Sequence, residues 1–394
     1  MEDYRFWQDW MEQTQSAPAN GERRIVTFRE PRQYAGALSQ WQALRRKRPP
    51  GGQVRVSSLI RAFFVPASGA SLLARKYGGS VAVEEDVRIT LHAAVALPQP
   101  GEKTGASLPW GIKAIRAPQA WSKSTGVQVR VGVIDTGADF RHPDLKHCLA
   151  TGVNLLHRGM LPLDDNGHGT HIAGTLAAAG GPYGMMGVAP RALLYPVKAF
   201  DHSGSAYVSD IVLGIDWCVQ NRMDLINMSF GMKTRSKALH DVVIRAYKAG
   251  IPIIASSGND GKRGGDYPAR YTETIAVGAL GKGRQVAGFS NRGPYIDVYA
   301  PGEAVSSCWL KEGYKEMSGT SMATSHVTGA AALLLALRPG LSPRELKRLL
   351  RRTAQPLRLR AGQRRAALGG GALDALRLLR AGRKPAAAGK APRP

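Results

Sequence analysis

Ser321 lies in the stretch EMSGTSMATSHVTGAAALLLA (316–336), where a turn of small polar residues runs into an alanine- and leucine-rich segment. From Met322 to Leu337 there is no proline and no Asp, Glu, Lys or Arg, which predicts a buried helix. Ser318, Thr320 and Ser321 fall at its expected N-terminus, where hydroxyls can cap free N–H groups. The same N–H groups and the positive dipole end would stabilise an anion beside Ser321, so the position suits a nucleophile as well as a cap. Asp135 ends the apolar run of VGVIDTGAD, and His168 and His171 stand in the glycine-rich stretch DDNGHGTHIAGT. Taken singly, an acid there can cap the next segment, and a histidine can pack or bind a metal. Taken together, Asp135, His168 and Ser321 supply an acid, a base and a hydroxyl. A serine hydroxyl is a poor nucleophile until an imidazole removes its proton, and a buried carboxylate must hold that imidazole in the right tautomer. Asn259, closing ASSGN (255–259), is placed for its amide to donate to a developing oxyanion, with the Ser321 N–H as second donor.

These residues need a scaffold, and the chain between them has the pattern of one. VRVGVID (129–135), ALLYPVKAF (192–200), DLINMSF (224–230), GIPIIASSGN (250–259) and TIAVGAL (274–280) are continuous apolar runs, as in strands covered on both faces. DIVLGIDWCVQNR and KALHDVVIRAYKAG between them have helical spacing. The fold class is therefore α/β, a parallel sheet wrapped by helices, with active sites gathered at the C-terminal strand ends. The first ~100 residues read as a separate small α+β module with an antiparallel sheet. Its strands are expected at 24–28, 54–65 and 80–86, and its helices at 33–47 and 69–79. A Pro- and Gly-rich linker follows (96–111).

Composition narrows the partners. The net charge of +25 invites a nucleic-acid reading. However, residues 341–394 hold 15 Lys and Arg against 2 acids, so more than half the excess sits at the C-terminus and not in a stripe across the main domain. RKPAAAGKAPRP reads as a solvated tail, which makes nucleic acid an unfavoured partner. Cys148, Cys218 and Cys308 match no metal or disulfide pattern and read as free thiols. No apolar run reaches the ~18–20 residues of a membrane span. The start, MEDYRFWQDWMEQ, has neither a basic nor an apolar signal region, which points to a cytoplasmic chain.

VIDTG, NGHGTHIAGT, INMSFG, SSGN and GTSMATSHVTGAAALLL, in this order, resemble the subtilisin-like serine proteases over about residues 105–340. The resemblance implies a serine endopeptidase acting through an acyl-enzyme, with Asp135, His168 and Ser321 as catalytic triad and Asn259 in the oxyanion hole. It implies that Ser229, Phe230 and Gly231 pair with the substrate backbone, that Gly204 and Ser205 line the opposite side, and that Gly258 borders the cleft. It places Asp266, just before YPARY, at the base of the pocket for the side chain preceding the scissile bond, where a carboxylate favours Lys or Arg. The alternative for Asp266 is an outward turn to pair with Arg263 or Arg270. If the pocket reading holds, cleavage after Lys103 becomes a processing site.

By the same resemblance residues 23–92 are an inhibitory prodomain, preceded by an extension (1–22) and followed by a processing linker (93–107), the peptidase domain (108–380) and the tail (381–394). The implied product is a self-processing zymogen whose partners are peptide substrates and its own prodomain. It would act as a monomer and, by family analogy, be secreted. Asp144 matches a calcium ligand, but Gly181 and Ala106 stand where side-chain oxygens are usual, so the resemblance implies a weakened calcium site. Two other readings remain: a non-catalytic peptide-binding regulator, and an anionic-polymer binder acting through the tail.

Overall fold

The computed structural model describes residue 7 and residues 22–47, 54–67, 70–91, 108–180, 184–359 and 367–382. Most of the expected linker (96–111) and of the tail, with His92, Lys103, Ala106 and Gly181, lies outside the described residues, and the linker's last two residues instead begin helix Trp110–Ala114.

The N-terminal unit is built from β1 (Arg23–Phe28), β2 (Arg55–Ser57), β3 (Ala62–Pro66) and β4 (Val81–Glu85), with helices Pro31–Lys47 and Ala70–Tyr77. The sheet order is β2-β3-β1-β4, and the pairings are antiparallel. The strand expected at 54–65 is two strands, because the chain turns at Ser58–Arg61 and Arg61 adopts φ 54°. Side chains alternate across the sheet. Phe28, Phe63 and Val65 join Tyr34 and Ala37 on one face, while Ile25, Ala62 and Phe64 on the other join the core of the main body. Trp7, expected in a separate extension, is 2% exposed within the first of these clusters. Its Nε1 donates to Ala37 O at 2.7 Å, and its ring meets Phe63 edge-on at 4.8 Å. The last piece, β5 (Arg88–Thr90), leaves this sheet and pairs with the main body.

The main body is a parallel eight-stranded sheet. In chain order its strands are β6 (Arg130–Asp135), β7 (Val153–Asn154), β8 (Leu193–Lys198), β10 (Leu225–Met228), β11 (Ile253–Ser256), β12 (Thr274–Leu280), β13 (Val298–Pro301) and β16 (Gly371–Ala372). β9 (Ser205–Tyr207) receives β5, and β14 (Val305–Trp309) with β15 (Gly313–Met317) form a hairpin. The spatial order is β16-β13-β12-β11-β10-β6-β8-β7. The five expected strands are all present, and the sequence reading missed β7, β13 and β16 of the sheet, the short β9, and the hairpin. Helices His168–Ala177 and Thr320–Leu337 lie in one core layer, and Val208–Gln220 and Lys237–Lys248 in the other. Helix Thr320–Leu337 is long and apolar enough to cross a membrane by length and composition, yet 89% of that window is buried inside the fold. It is a core helix here.

Candidate active site

From β6 the chain builds outward to β8 and then returns to β10 on the other side of β6. A ligand crevice forms where strand order reverses in this way, beyond the C-terminal strand ends. Asp135 is the last residue of β6, and Ser229 follows the last residue of β10. His168 opens helix His168–Ala177 behind Gly167, whose φ is 104°. A Cβ on Gly167 would stand 2.4 Å from the Trp309 ring, so both backbone and space require glycine there. Asp164 fixes the loop ahead of it. One of its oxygens accepts the N–H groups of Asn166 and Gly167, and the other accepts Thr170 N–H at 2.9 Å and its hydroxyl at 2.6 Å. Burial pushes the Asp164 carboxyl up, but these donors outweigh it and hold its pKa below the ordinary value.

His168 Nδ1 lies 2.7 Å from Asp135 Oδ1, which also accepts Thr136 N–H at 2.8 Å. Burial alone would lower the His168 pKa, but the charge and hydrogen bond of Asp135, with Asp164 further off, raise it above the ordinary value. His168 Nε2 has no hydrogen-bond partner among the described residues. The Ser321 hydroxyl donates to Ser229 O at 2.8 Å. His171, from the same stretch, is different in kind. Its Nε2 meets Val305 O and Lys315 O, and burial drives its pKa down to about 3, so it is a neutral packing residue.

The capping expectation at 318–321 is corrected. The N-cap of helix Thr320–Leu337 is Gly319, with no side-chain cap bond. Ser318 Oγ instead accepts Ala304 N–H at 2.9 Å. Thr320 donates both its N–H and its hydroxyl to Asn259 Oδ1, each at 2.9 Å. With Oδ1 held, the orientation of the Asn259 amide is set, and its Nδ2 lies toward Gly319. The Thr320 and Ser321 hydroxyls therefore serve the cleft and not the helix end. Sequence reading also missed Lys198. Its buried ammonium donates to Thr136 O at 2.7 Å and to Asp165 at 2.6 Å, clamping the backbone next to Asp135.

β5 occupies the mouth of this crevice. Thr90 pairs with Ser205, Leu91 N–H donates to Gly204 O at 2.8 Å, and Leu91 bridges Phe230 in antiparallel fashion. Gly231 is buried beside Phe230. Gly258 has φ 101°, and a Cβ there would come within 2.6 Å of Asp266 Oδ2. Asp266 is thus directly behind the cleft wall and only 2% exposed, so the outward pairing with Arg263 or Arg270 gives way to an inward position 2.8 Å from Lys233 Nζ.

Asp144 is buried in a group with His142 and Cys308. Its Oδ2 accepts Tyr314 OH at 2.6 Å and Met185 N–H at 2.9 Å. Calcium takes six to eight oxygens, preferably from several carboxylates. Here one carboxylate already serves two protein donors, and its companions offer nitrogen and sulfur. The described residues around Asp144 therefore make at most a poor calcium site. Cys148 and Cys218 are likewise buried free thiols, with burial pushing the Cys148 pKa up to about 12.

A family profile described as the subtilase family matches residues 126–375. Subtilisin E of Bacillus subtilis is 44% identical over 254 residues, covering 63% of this chain and 66% of that protein. The subtilisin of Bacillus pumilus is 44% identical over 254 residues, covering 63% of this chain and 92% of that protein. A thermostable alkaline protease of Halalkalibacterium halodurans is 42% identical over 249 residues, covering 63% and 68%.

Proposed function

The chain belongs to the subtilase family of serine-type endopeptidases, and on that premise we propose that Ser321, His168 and Asp135 carry its chemistry and that residues 23–92 are its inhibitory prodomain. Ser321 Oγ leaves the Ser229 carbonyl by rotation, gives its proton to His168 Nε2 and attacks the peptide carbonyl carbon. The Asn259 amide and Ser321 N–H stabilise the resulting oxyanion. His168 then protonates the departing amine, leaving an acyl-enzyme on Ser321, and water repeats the sequence to release the acid. Asp135 keeps the His168 proton on Nδ1 throughout.

One observation carries the zymogen reading: β5 lies where an extended substrate would add as a strand. The antiparallel bridge of Leu91 to Phe230 ends β5 beside the residue that follows Ser229, whose carbonyl holds the Ser321 hydroxyl. Because β5 ends at Leu91 in the cleft, the reading favours self-cleavage close after Leu91, at the end of the 23–92 prodomain, over cleavage after Lys103. Calcium belongs to the family's repertoire, and for this chain we propose no more than weak binding near Asp144.

The test combines Ser321→Ala with N-terminal sequencing. The wild-type chain is expected to yield a new N-terminus at Ala93, and the variant to remain intact. A fluorophosphonate should label Ser321 alone. Labelling at another residue, or a processed Ser321→Ala chain, overturns the assignment.

A further inference from the structure

We infer that Lys233 is a specificity-determining residue: an internal cation that sits on the acidic floor of the pocket beyond Ser321 and competes with basic substrate side chains. The inference rests on the peptidase reading above. β5 ends with Leu91 bridging Phe230, next to Ser229, whose carbonyl accepts the Ser321 hydroxyl, and Gly258 N–H donates to the adjacent Thr320 hydroxyl at 3.2 Å. Behind Gly258 the two walls are tied together. Met232 and Tyr267 exchange N–H···O bonds of 2.8 Å, and Asp266 N–H donates to Ser257 O at 3.2 Å. This brings segment 229–233 alongside 257–260 and 266–267.

Two carboxylates lie between these walls. Asp266 is nearly fully buried, and Asp260 is anchored by its N–H to Asn291 Oδ1 at 3.1 Å. The Lys233 ammonium bridges both, at 2.8 Å from Asp266 Oδ1 and hydrogen-bonded to Asp260 Oδ2. The side chain of Lys233 itself is 63% exposed, so it reaches the floor from the rim and can be withdrawn. The pair carries two negative charges and Lys233 returns one positive. A substrate Lys or Arg entering this pocket must share the carboxylates with Lys233 or displace it. A neutral side chain meets no such competition. The acid pair alone would favour a basic side chain, and Lys233 is what mutes it. With that ammonium removed, the same two carboxylates have one cation fewer beside them, which tips the competition toward a basic substrate side chain.

The experiment compares otherwise identical peptides with Lys, Phe or Leu before the scissile bond, cleaved by the wild type, Lys233→Met, Lys233→Gln, and Lys233→Met combined with Asp266→Asn. Both single variants should raise the Lys-to-Phe ratio of kcat/KM by about tenfold or more, as expected for a freed charge-assisted hydrogen bond. Adding Asp266→Asn should return the ratio to near its wild-type value. If the ratio stays put in both single variants, or survives the loss of the Asp266 charge, Lys233 does not read the substrate. Failure of the wild type to cut any of the three peptides would instead overturn the peptidase reading itself, and this inference with it.

Discussion

The two regions of this molecule bury themselves in different ways. The main body has two large cores, one on each side of its sheet, and packs its own helices into both. The N-terminal unit closes only one face of its sheet, with Trp7, Phe28, Tyr34 and Phe63. Its other face, through Ile25, Ala62 and Phe64, is completed by the main body. Polar contacts follow the same division. Glu84 accepts Ala238 N–H at 2.6 Å and Lys237 N–H at 3.0 Å at the start of helix Lys237–Lys248. Asp86 does the same for Ser209 at 2.8 Å, near the start of helix Val208–Gln220. Acids at helix N-termini are favoured by the free N–H groups and the dipole. The unit thus supplies side chains to backbone donors that the body leaves open. A small domain that borrows half its core from its partner is built to be held, whereas the body is built to hold.

The comparison is sharpened most by a change that touches the body's chemistry and leaves its grip intact. Asp135→Asn should lower kcat by ~10⁴, the figure for the equivalent change in the best-studied triad, because the imidazole is then held in the wrong tautomer. Inhibition of the wild-type enzyme by a 1–92 fragment added in trans is a property of the grip, and binding of that fragment to Asp135→Asn should persist. The pH profile gives a second readout. Catalysis needs neutral His168, and its pKa is raised above the ordinary ~6.5. Activity should therefore fall as pH drops through a value above 6.5. Loss of the Asp135 charge should move that limb of any residual activity downward.

Trp7→Ala tests the other region. Removing a fully buried indole from a small core costs ~3–5 kcal/mol. Thermal unfolding of the full chain carrying Ser321→Ala should show the N-terminal unit melting earlier, while the transition of the main body stays in place. A single transition shifted as a whole would mean the two regions fold as one cooperative unit, against the comparison.

Glu84→Gln is smaller again. It keeps the shape and removes the charge facing three donors, two N–H groups and the Ser236 hydroxyl at 3.2 Å. Hydrogen bonds to charged groups contribute ~1.5–3 kcal/mol, so inhibition by the 1–92 fragment should weaken by roughly 10- to 100-fold. Peptide hydrolysis by the processed enzyme should not change, because Glu84 then lies on the removed fragment.

Much of the body was legible because its signals are local. Continuous apolar runs mark β6, β8, β10, β11 and β12, and the residues flanking Asp135, His168 and Ser321 mark the strand end and helix starts that present them. What escaped the sequence depends on contacts between distant residues. Nothing near Lys233 announces that it meets Asp266, 33 positions on. Thr320 looks like a cap until its hydroxyl is seen on Asn259. Lys198 reads as a strand-end cation, yet it clamps Thr136. In the N-terminal unit the alternation of 54–65 concealed a turn, because a periodic pattern carries no information about the positive φ at Arg61. Trp7, within the acidic and aromatic start MEDYRFWQDWMEQ, gave no sign of the core it completes.

The smallest expected effect concerns metal. If Asp144 were the heart of a tight calcium site, chelation would cost the body much of its stability, as it does wherever binding free energy is folding free energy. The local chemistry argues otherwise. Tyr314 donates to Asp144, and both burial and the neighbouring carboxylate raise the Tyr314 pKa, so the phenol keeps its proton and remains a donor. A neutral O–H does here some of what a cation would do elsewhere. An ion present near its Kd adds only ~0.4 kcal/mol, and ~1 kcal/mol shifts the melting temperature of a domain this size by about 2–4 °C. Addition of EDTA should therefore lower Tm by about 1–2 °C. Tyr314→Phe should lower it more than the chelator does, because it leaves the buried Asp144 oxygen short of a donor. A large loss with EDTA, matched by little effect of Tyr314→Phe, would show that an ion and not this phenol holds the loop that carries Asp144 against the hairpin of β14 and β15.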